Sequence, residues 1–207
     1  LGLVGQLAVQ ILKAAGCRVI GVDLDPEKVR LAKQCGADAA FPRDDTRLVD
    51  SIRRAAGGAG ADVVYIAAST SSTDPMELAG KLVRDRGKVV IVGMVKVEAD
   101  WQTYYHKEVS VLMSRSYGPG RYDRNYEQKG IDYPIGYVRW TEHRNMEEFL
   151  RLVQIGQVKP RDLSPAIFKI EEAPEAYEQL HSNPGRHAVG ILFEYPRDAV
   201  PNRKVEF

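Results

Sequence analysis

The sequence predicts an α/β fold built on a doubly wound parallel sheet. Three observations carry this: short β-branched runs alternate with segments of helical period, glycines mark the joins, and two glycines open the first helix. Such alternation with short connections means parallel βαβ units, whose right-handed crossovers gather the strands into one sheet.

The chain opens on LGLVGQLAVQILKAAG, where Leu7, Ala8, Ile11, Leu12 and Ala15 recur at helical spacing towards Gly16. The run CRVIGVD, 17–23, predicts a strand ending in an acid. In DPEKVRLAKQCG, 25–36, Asp25 suits a helix cap, Pro26 the first turn and Gly36 the close. A strand at 38–41, a helix at 46–57, a strand at 61–69 and a helix at 74–87 follow. GKVVIVGM, 87–94, is nearly continuous in apolar residues, as a strand covered on both faces would be. EVSVLMS, 108–114, is a further strand, interrupted by Ser110.

Residues 115–144 carry five tyrosines, one tryptophan and four glycines without a period, too aromatic for a linker. A helix resumes with Asn145 as its cap, Glu148 at its third position, and Met146, Phe149, Leu150 and Val153 as its apolar stripe. The remainder reads as a strand around AIFKI, a helix EEAPEAYEQLHS and a strand at 188–195. The organisation expected is a core over 1–114, a Tyr/Arg-rich insertion at 115–144, a returning segment at 145–195 and a linker at 196–207.

Composition narrows the function. With 29 basic and 28 acidic residues interspersed, net charge +1, no electrostatic stripe recommends nucleic acid or a membrane as partner. No apolar run reaches the length of a spanning helix. Cys17 and Cys35 belong to no metal-ligand spacing and are expected as buried thiols in a reducing, cytoplasmic compartment. The four histidines are scattered, so no metal site is expected. No Ser/His/Asp set, phosphate-binding loop of the nucleotide-triphosphatase type or carboxylate pair is legible, and no catalytic acid, base or nucleophile is assigned.

The most informative constellation is Gly2 and Gly5 at the start of the helix, with Asp23 closing the next strand twenty-one residues beyond Gly2. A helix opened by glycines offers backbone N–H groups of Gly2, Leu3, Val4 and Gly5 to a pyrophosphate. A carboxylate at the end of the neighbouring strand accepts both hydroxyls of an adenosine ribose and repels a 2′-phosphate. The expected cofactor is therefore NAD rather than NADP. The bland alternative is a tight turn and a solvated strand end. Lys28 lies one helical turn beyond Asp23 and within reach of the same ribose. Small residues at Ala68, with Ala67 and Ser69, and at Gly93 sit where a doubly wound sheet opens to its ligand. In the aromatic segment, Arg115, Tyr117, Arg121, Tyr122, Tyr133, Arg139 and Trp140 suit a polyhydroxylated or anionic substrate, with Tyr117, Arg121 and Arg139 the substrate candidates. The alternative is that they pin an irregular loop to the domain.

These residues resemble the coenzyme domain of the medium-chain, zinc-type alcohol dehydrogenases, from LGLVGQLAVQILKAAGCRVIGVDLDPEKVRLAKQCGAD through GKVVIVG to EEAPEAYEQLHSNPGRHAVGILFEY. SRSYGPGRYDRNYEQKGIDYPIGYVRWTEHRNMEEFL is similar to a bacterial subgroup often called bi-domain oxidoreductases. The resemblance implies a Rossmann fold and NAD-linked hydride transfer between an alcohol and a carbonyl, with a sugar or polyol as the expected substrate class. It implies cofactor contacts at Gly2, Gly5, Asp23, Lys28 and Gly93, and a carboxamide contact from the backbone of Met113, Ser114 and Arg115. It implies a catalytic zinc held by an N-terminal β-rich domain that this sequence lacks, so that the chain by itself is expected to be inactive and its sheet to lack a central strand. It also implies a homo-oligomer joined through the edge strand at 108–114. The alternatives are a non-catalytic nucleotide-sensing or assembly module and a zinc-independent quinone or enoyl reductase.

Overall fold

In the computed structural model, which describes residues 1–163, 166–182 and 189–196, every strand ladder is parallel. The residues divide into two units, Leu1–Pro160 and Arg161–Phe207.

In the first unit, α1 (Leu3–Ala14) leads into β1 (Ile20–Asp23), and α2 (Pro26–Gln34) returns the chain to β2 (Ala39–Pro42), paired in register from Ile20 opposite Ala39 to Asp23 opposite Pro42. Asp25 caps α2 as expected, its carboxylate accepting from the Glu27 amide, with Pro26 at the first position. After α3 (Leu48–Ala55) a second sheet begins, ordered β3 (Ala61–Ile66), β4 (Val83–Ile91), β5 (Ser110–Met113). The two sheets share no ladder, and among the described residues no strand pairs with the outer edge of β1 or β3.

Helices cover both faces. Val9, Val19, Val29, Ala32 and Ala40 join α1 and α2 to one face of β1 and β2, while Leu48 and Ile52 of α3 meet Ile20, Val22 and Phe41 on the other. A third cluster packs Met76 and Ala79 against Ile66, Val89, Ile91 and Tyr104. This is a Rossmann-type arrangement, the α/β class the alternation predicts.

Several elements differ from the sequence reading. The helix expected over 74–87 is α4 (Asp74–Leu82) and stops where the Lys107 ammonium donates to the carbonyls of Gly80 and Val83, at 2.7 and 2.8 Å. Terminal helix carbonyls satisfied by a lysine need no further turn. Val83 then turns extended and pairs with Ala61. An unanticipated short helix, α5 (Trp101–His106), is capped by Asp100 and buries Tyr104. Another, α6 (Arg124–Lys129), runs through the aromatic segment between a cap at Asp123 and a left-handed Gly130. Asn145 is no cap: α7 (Glu142–Gln154) starts after Thr141, and the Asn145 amide instead holds the Tyr117 carbonyl at 2.8 Å. Cys17 is exposed, not buried, and Cys35 is half-buried.

The second unit pairs β6 (Ala166–Lys169) with β7 (Ile191–Glu194) in parallel, with α8 (Ala173–Ser182) between them in sequence. The start of the strand expected at 188–195, His187, and residues 197–207 of the expected linker lie outside the described residues.

Candidate dinucleotide site

The phosphate turn is built by α1. Gly2 stands at its N-cap with extended backbone and no side-chain cap, so the first-turn amides have no side chain folded over them. A methyl at Gly2 would meet nothing within 4 Å, whereas one at Gly5 would touch Leu1 and Ala67 at 3.9 to 4.0 Å. Open space over an uncapped helix N-terminus is what an anionic group requires. The residues present therefore fit a pyrophosphate.

Asp23 ends β1 beside this turn. Its Oδ2 lies 2.5 Å from the Leu1 nitrogen, and its Oδ1 accepts from the Asp25 amide at 2.9 Å. A carboxylate has about four lone-pair positions, so each oxygen keeps capacity for a ribose hydroxyl. Burial works to raise the Asp23 carboxyl, while the Asp25 amide and Lys28 work to lower it. A carboxylate in this setting is an anion at neutral pH. Lys28 sits one turn into α2, its Nζ 3.9 Å from the Asp25 carboxylate, and contributes field at Asp23 rather than a contact.

The carboxyl ends of the second sheet lie at the same end of the fold. Gly5 approaches Ala67, and Gly93 crosses the chain at Ala68 so closely that a methyl there would lie 2.0 Å from the Ala68 carbonyl oxygen. The close crossing alone requires glycine. The Ser114 amide donates to the Ile91 carbonyl at 2.9 Å, carrying the β4–β5 pairing one residue past Met113 and fixing the backbone at 113–115.

The Tyr/Arg segment forms two groups. In the first, the Arg115 guanidinium lies 4.1 Å and that of Arg121 4.3 Å from the Tyr122 ring centre. Tyr117 is 5.5 Å from Arg121, and the Ser116 and Tyr122 hydroxyls are 3.5 Å apart. Ser116 and Tyr122 both adopt left-handed backbone, with φ of 52° and 69°, a conformation that costs a non-glycine residue energy. The Ser116 hydroxyl and the Arg121 charge pull the Tyr122 phenol below its ordinary value, and Glu127 balances Arg121 at 2.5 Å. In the second group, Tyr126 stacks on Tyr133, and their hydroxyls reach Thr141 and Asp123 at 2.9 and 2.6 Å. These tyrosines tie the loop to the start of α7. Arg139 lies over the Trp140 ring, 4.9 Å from its centre.

The spacing of glycines and acids did not reveal two further features. Gln6 is wholly buried next to the phosphate turn. Arg43, following β2, makes a two-pronged ion pair with Asp74 at the start of α4. A signal for Gln6 existed: with Val9 and Gln10 it shares the buried face of α1, which the choice of Leu7, Ala8 and Ile11 as the stripe passed over. Among the described residues no three His, Cys, Asp or Glu side chains come together to hold a metal ion, and no helix is long and apolar enough to cross a membrane.

The chain is 29% identical over 185 residues to an NAD-dependent alcohol dehydrogenase of Sulfurisphaera tokodaii, covering 87% of this chain and 45% of that protein. It is 27% identical over 184 residues to the D-guloside 3-dehydrogenase of Escherichia coli, covering 86% and 48%. The chain thus spans about half the length of the curated relatives it matches. The crystal structure of an alcohol dehydrogenase from Aeropyrum pernix superposes with a TM-score of 0.65 at 22% identity, over 91% of this chain and 46% of that one, which shows a shared fold. With residues 4–129, more than half of the chain, matching the family described as zinc-binding dehydrogenase, the chain belongs to that family.

Proposed function

We propose that this oxidoreductase coenzyme-binding domain holds NAD for hydride transfer between an alcohol and a carbonyl, with a sugar or polyol as substrate. One observation carries the reading: the open N-terminus of α1 at Gly2 lies beside an ionised Asp23 at the end of β1. That pair suits the two ends of an adenosine diphosphate.

In this reading the amides of Leu3, Val4 and Gly5 face the pyrophosphate and Asp23 accepts the ribose hydroxyls, with Lys28 adding positive field. Ala68 and Gly93 leave room for the nicotinamide half, and the backbone at Met113, Ser114 and Arg115 holds its carboxamide. Bound NAD supplies the hydride acceptor at its nicotinamide ring. Arg121 with Tyr117, and Arg139 beside Trp140, offer planar donors to a hydroxylated or anionic substrate. A similar protein named for oxidation of a guloside supports the sugar class. The described residues do not fit a catalytic zinc, and we assign that ion to a separate β-rich domain of the parent protein. We further propose a reducing cytoplasm and a homo-oligomer joined through β5.

Calorimetric titration with NAD and NADP tests the reading. NAD should bind more tightly, and Asp23→Ala should weaken NAD about tenfold while leaving NADP equal or tighter, because the variant removes both the ribose acceptor and the charge opposing a 2′-phosphate. Equal affinities in the unmutated protein would overturn the assignment.

A further inference from the structure

Gln6 has polar chemistry where packing alone calls for none. Its side chain is 0% exposed, in the first turn of α1, directly after Gly5. The Nε2 group donates two hydrogen bonds in opposite directions along the chain. One goes to the Leu1 carbonyl at 3.0 Å, the other to the Lys28 carbonyl at 2.9 Å. Its Oε1 is buried with no partner among the described residues. A buried acceptor left unsatisfied destabilises a fold, a cost that an apolar side chain of the same shape avoids. The amide is therefore poorly explained as filler and well explained by its two donated bonds.

Those bonds join two elements that lie more than twenty residues apart in the sequence. The Leu1 carbonyl belongs to the peptide that leads into Gly2 and the open end of α1. The Lys28 carbonyl lies in the first turn of α2, three residues beyond the Asp25 cap and five beyond Asp23. One planar amide thus spans from the turn facing a pyrophosphate to the segment that aims the ribose-accepting carboxylate. The neutral amide supplies two protons from a single nitrogen, which neither a carboxylate nor a hydroxyl can do.

We propose that Gln6 is a positioning residue that fixes the separation between the phosphate turn and the ribose-reading segment, and so sets the affinity for ligands containing an adenosine diphosphate. The inference rests on the cofactor reading above. A rigid ligand touching both elements gains from their being held at its own length, because the ordering is done before it binds. A ligand touching one element gains nothing from the tie.

The test compares ADP-ribose, which spans both elements, with adenosine, which reaches only the ribose segment. Both are titrated calorimetrically into the intact protein carrying this chain, unmutated and as Gln6→Met. The variant should bind ADP-ribose about tenfold more weakly and adenosine within a factor of two of the unmutated protein. A merely structural loss would weaken both ligands alike. That outcome, or unchanged ADP-ribose affinity, overturns the proposal while leaving the cofactor reading intact. Failure of the unmutated protein to bind ADP-ribose overturns the cofactor reading, and this inference with it.

Should Gln6→Met not fold, the unmutated protein decides alone. In a nitrogen-15 spectrum the Gln6 side-chain amide protons should exchange slowly with solvent and be slowed further by ADP-ribose but not by adenosine. Exchange unaffected by ADP-ribose would defeat the proposal.

Discussion

Two glycines of the candidate site make opposite demands on their surroundings. A methyl at Gly93 would lie 2.0 Å from the Ala68 carbonyl oxygen and 2.8 Å from its carbonyl carbon, both main-chain atoms that no rotamer change can move aside. Gly93→Ala should therefore cost more than the roughly 1–3 kcal/mol of ordinary overpacking. At about 2–4 °C per kcal/mol for a chain of this size, thermal melts should fall by about 5 °C or more. Gly2 is the reverse: its φ is −66° and nothing stands within 4 Å of the added methyl. Gly2→Ala should leave the melting temperature almost unchanged yet reduce NAD binding, since the methyl occupies space a pyrophosphate needs. The paired measurement separates a glycine kept for the fold from one kept for a ligand, and equal losses in stability at both positions would erase the distinction. Asp23 and the glycines were legible from spacing because a strand–helix–strand unit fixes where its ends fall. The burial of Gln6 was legible from its spacing to Val9 and Gln10, but its role was not, because its partners are backbone carbonyls, which carry no mark in a sequence.

At the scale of elements, the strands of the parallel ladders were legible and the shortest helices were not. Runs such as VVIVG and VIGVD are recognisable because burial on both faces leaves few polar positions. α5 and α6 span six residues each, under two turns, so a period of 3.6 has no room to repeat. Each is held by contacts distant in sequence. For α5 these are the Tyr104 hydroxyl donating to the Met76 carbonyl at 2.7 Å and Lys107 closing α4. Burial pushes the Tyr104 phenol up to about 12. A folded value above the unfolded one of about 10 means that the neutral phenol's contribution is complete below about pH 10 and is lost as pH rises towards 12. Tyr104→Phe should cost about 1 kcal/mol at neutral pH through the lost hydrogen bond. In urea titrations the difference between the two proteins should shrink between about pH 10 and 12. A difference independent of pH would place the phenol outside the core.

For the whole molecule, alternation made the parallel class legible, whereas the placement of residues 115–144 depended on contacts invisible to periodicity: Asn145 to Tyr117, Tyr133 to Asp123, and Arg144 to Asp132. Among the described residues β5 is bonded on one side only, to β4, and all four of its residues are exposed, with Val111 at 39%, Leu112 at 46% and Met113 at 65%. An apolar strand with a bare edge is a template for another strand, and proteins that stay monomeric blunt such edges with charge or proline. β5 carries neither. A second copy meeting it across a twofold axis would satisfy both edges at once, since a self-complementary patch closes the assembly at two chains. Sedimentation velocity should therefore show a dimer for the intact protein carrying this chain, and Leu112→Lys should shift it to monomer by setting like charges against each other at the seam. Because Leu112 is exposed in the single chain, the monomeric variant should still fold, with a melting temperature that no longer rises with protein concentration. A dimer that survives Leu112→Lys unchanged would place the contact on another face.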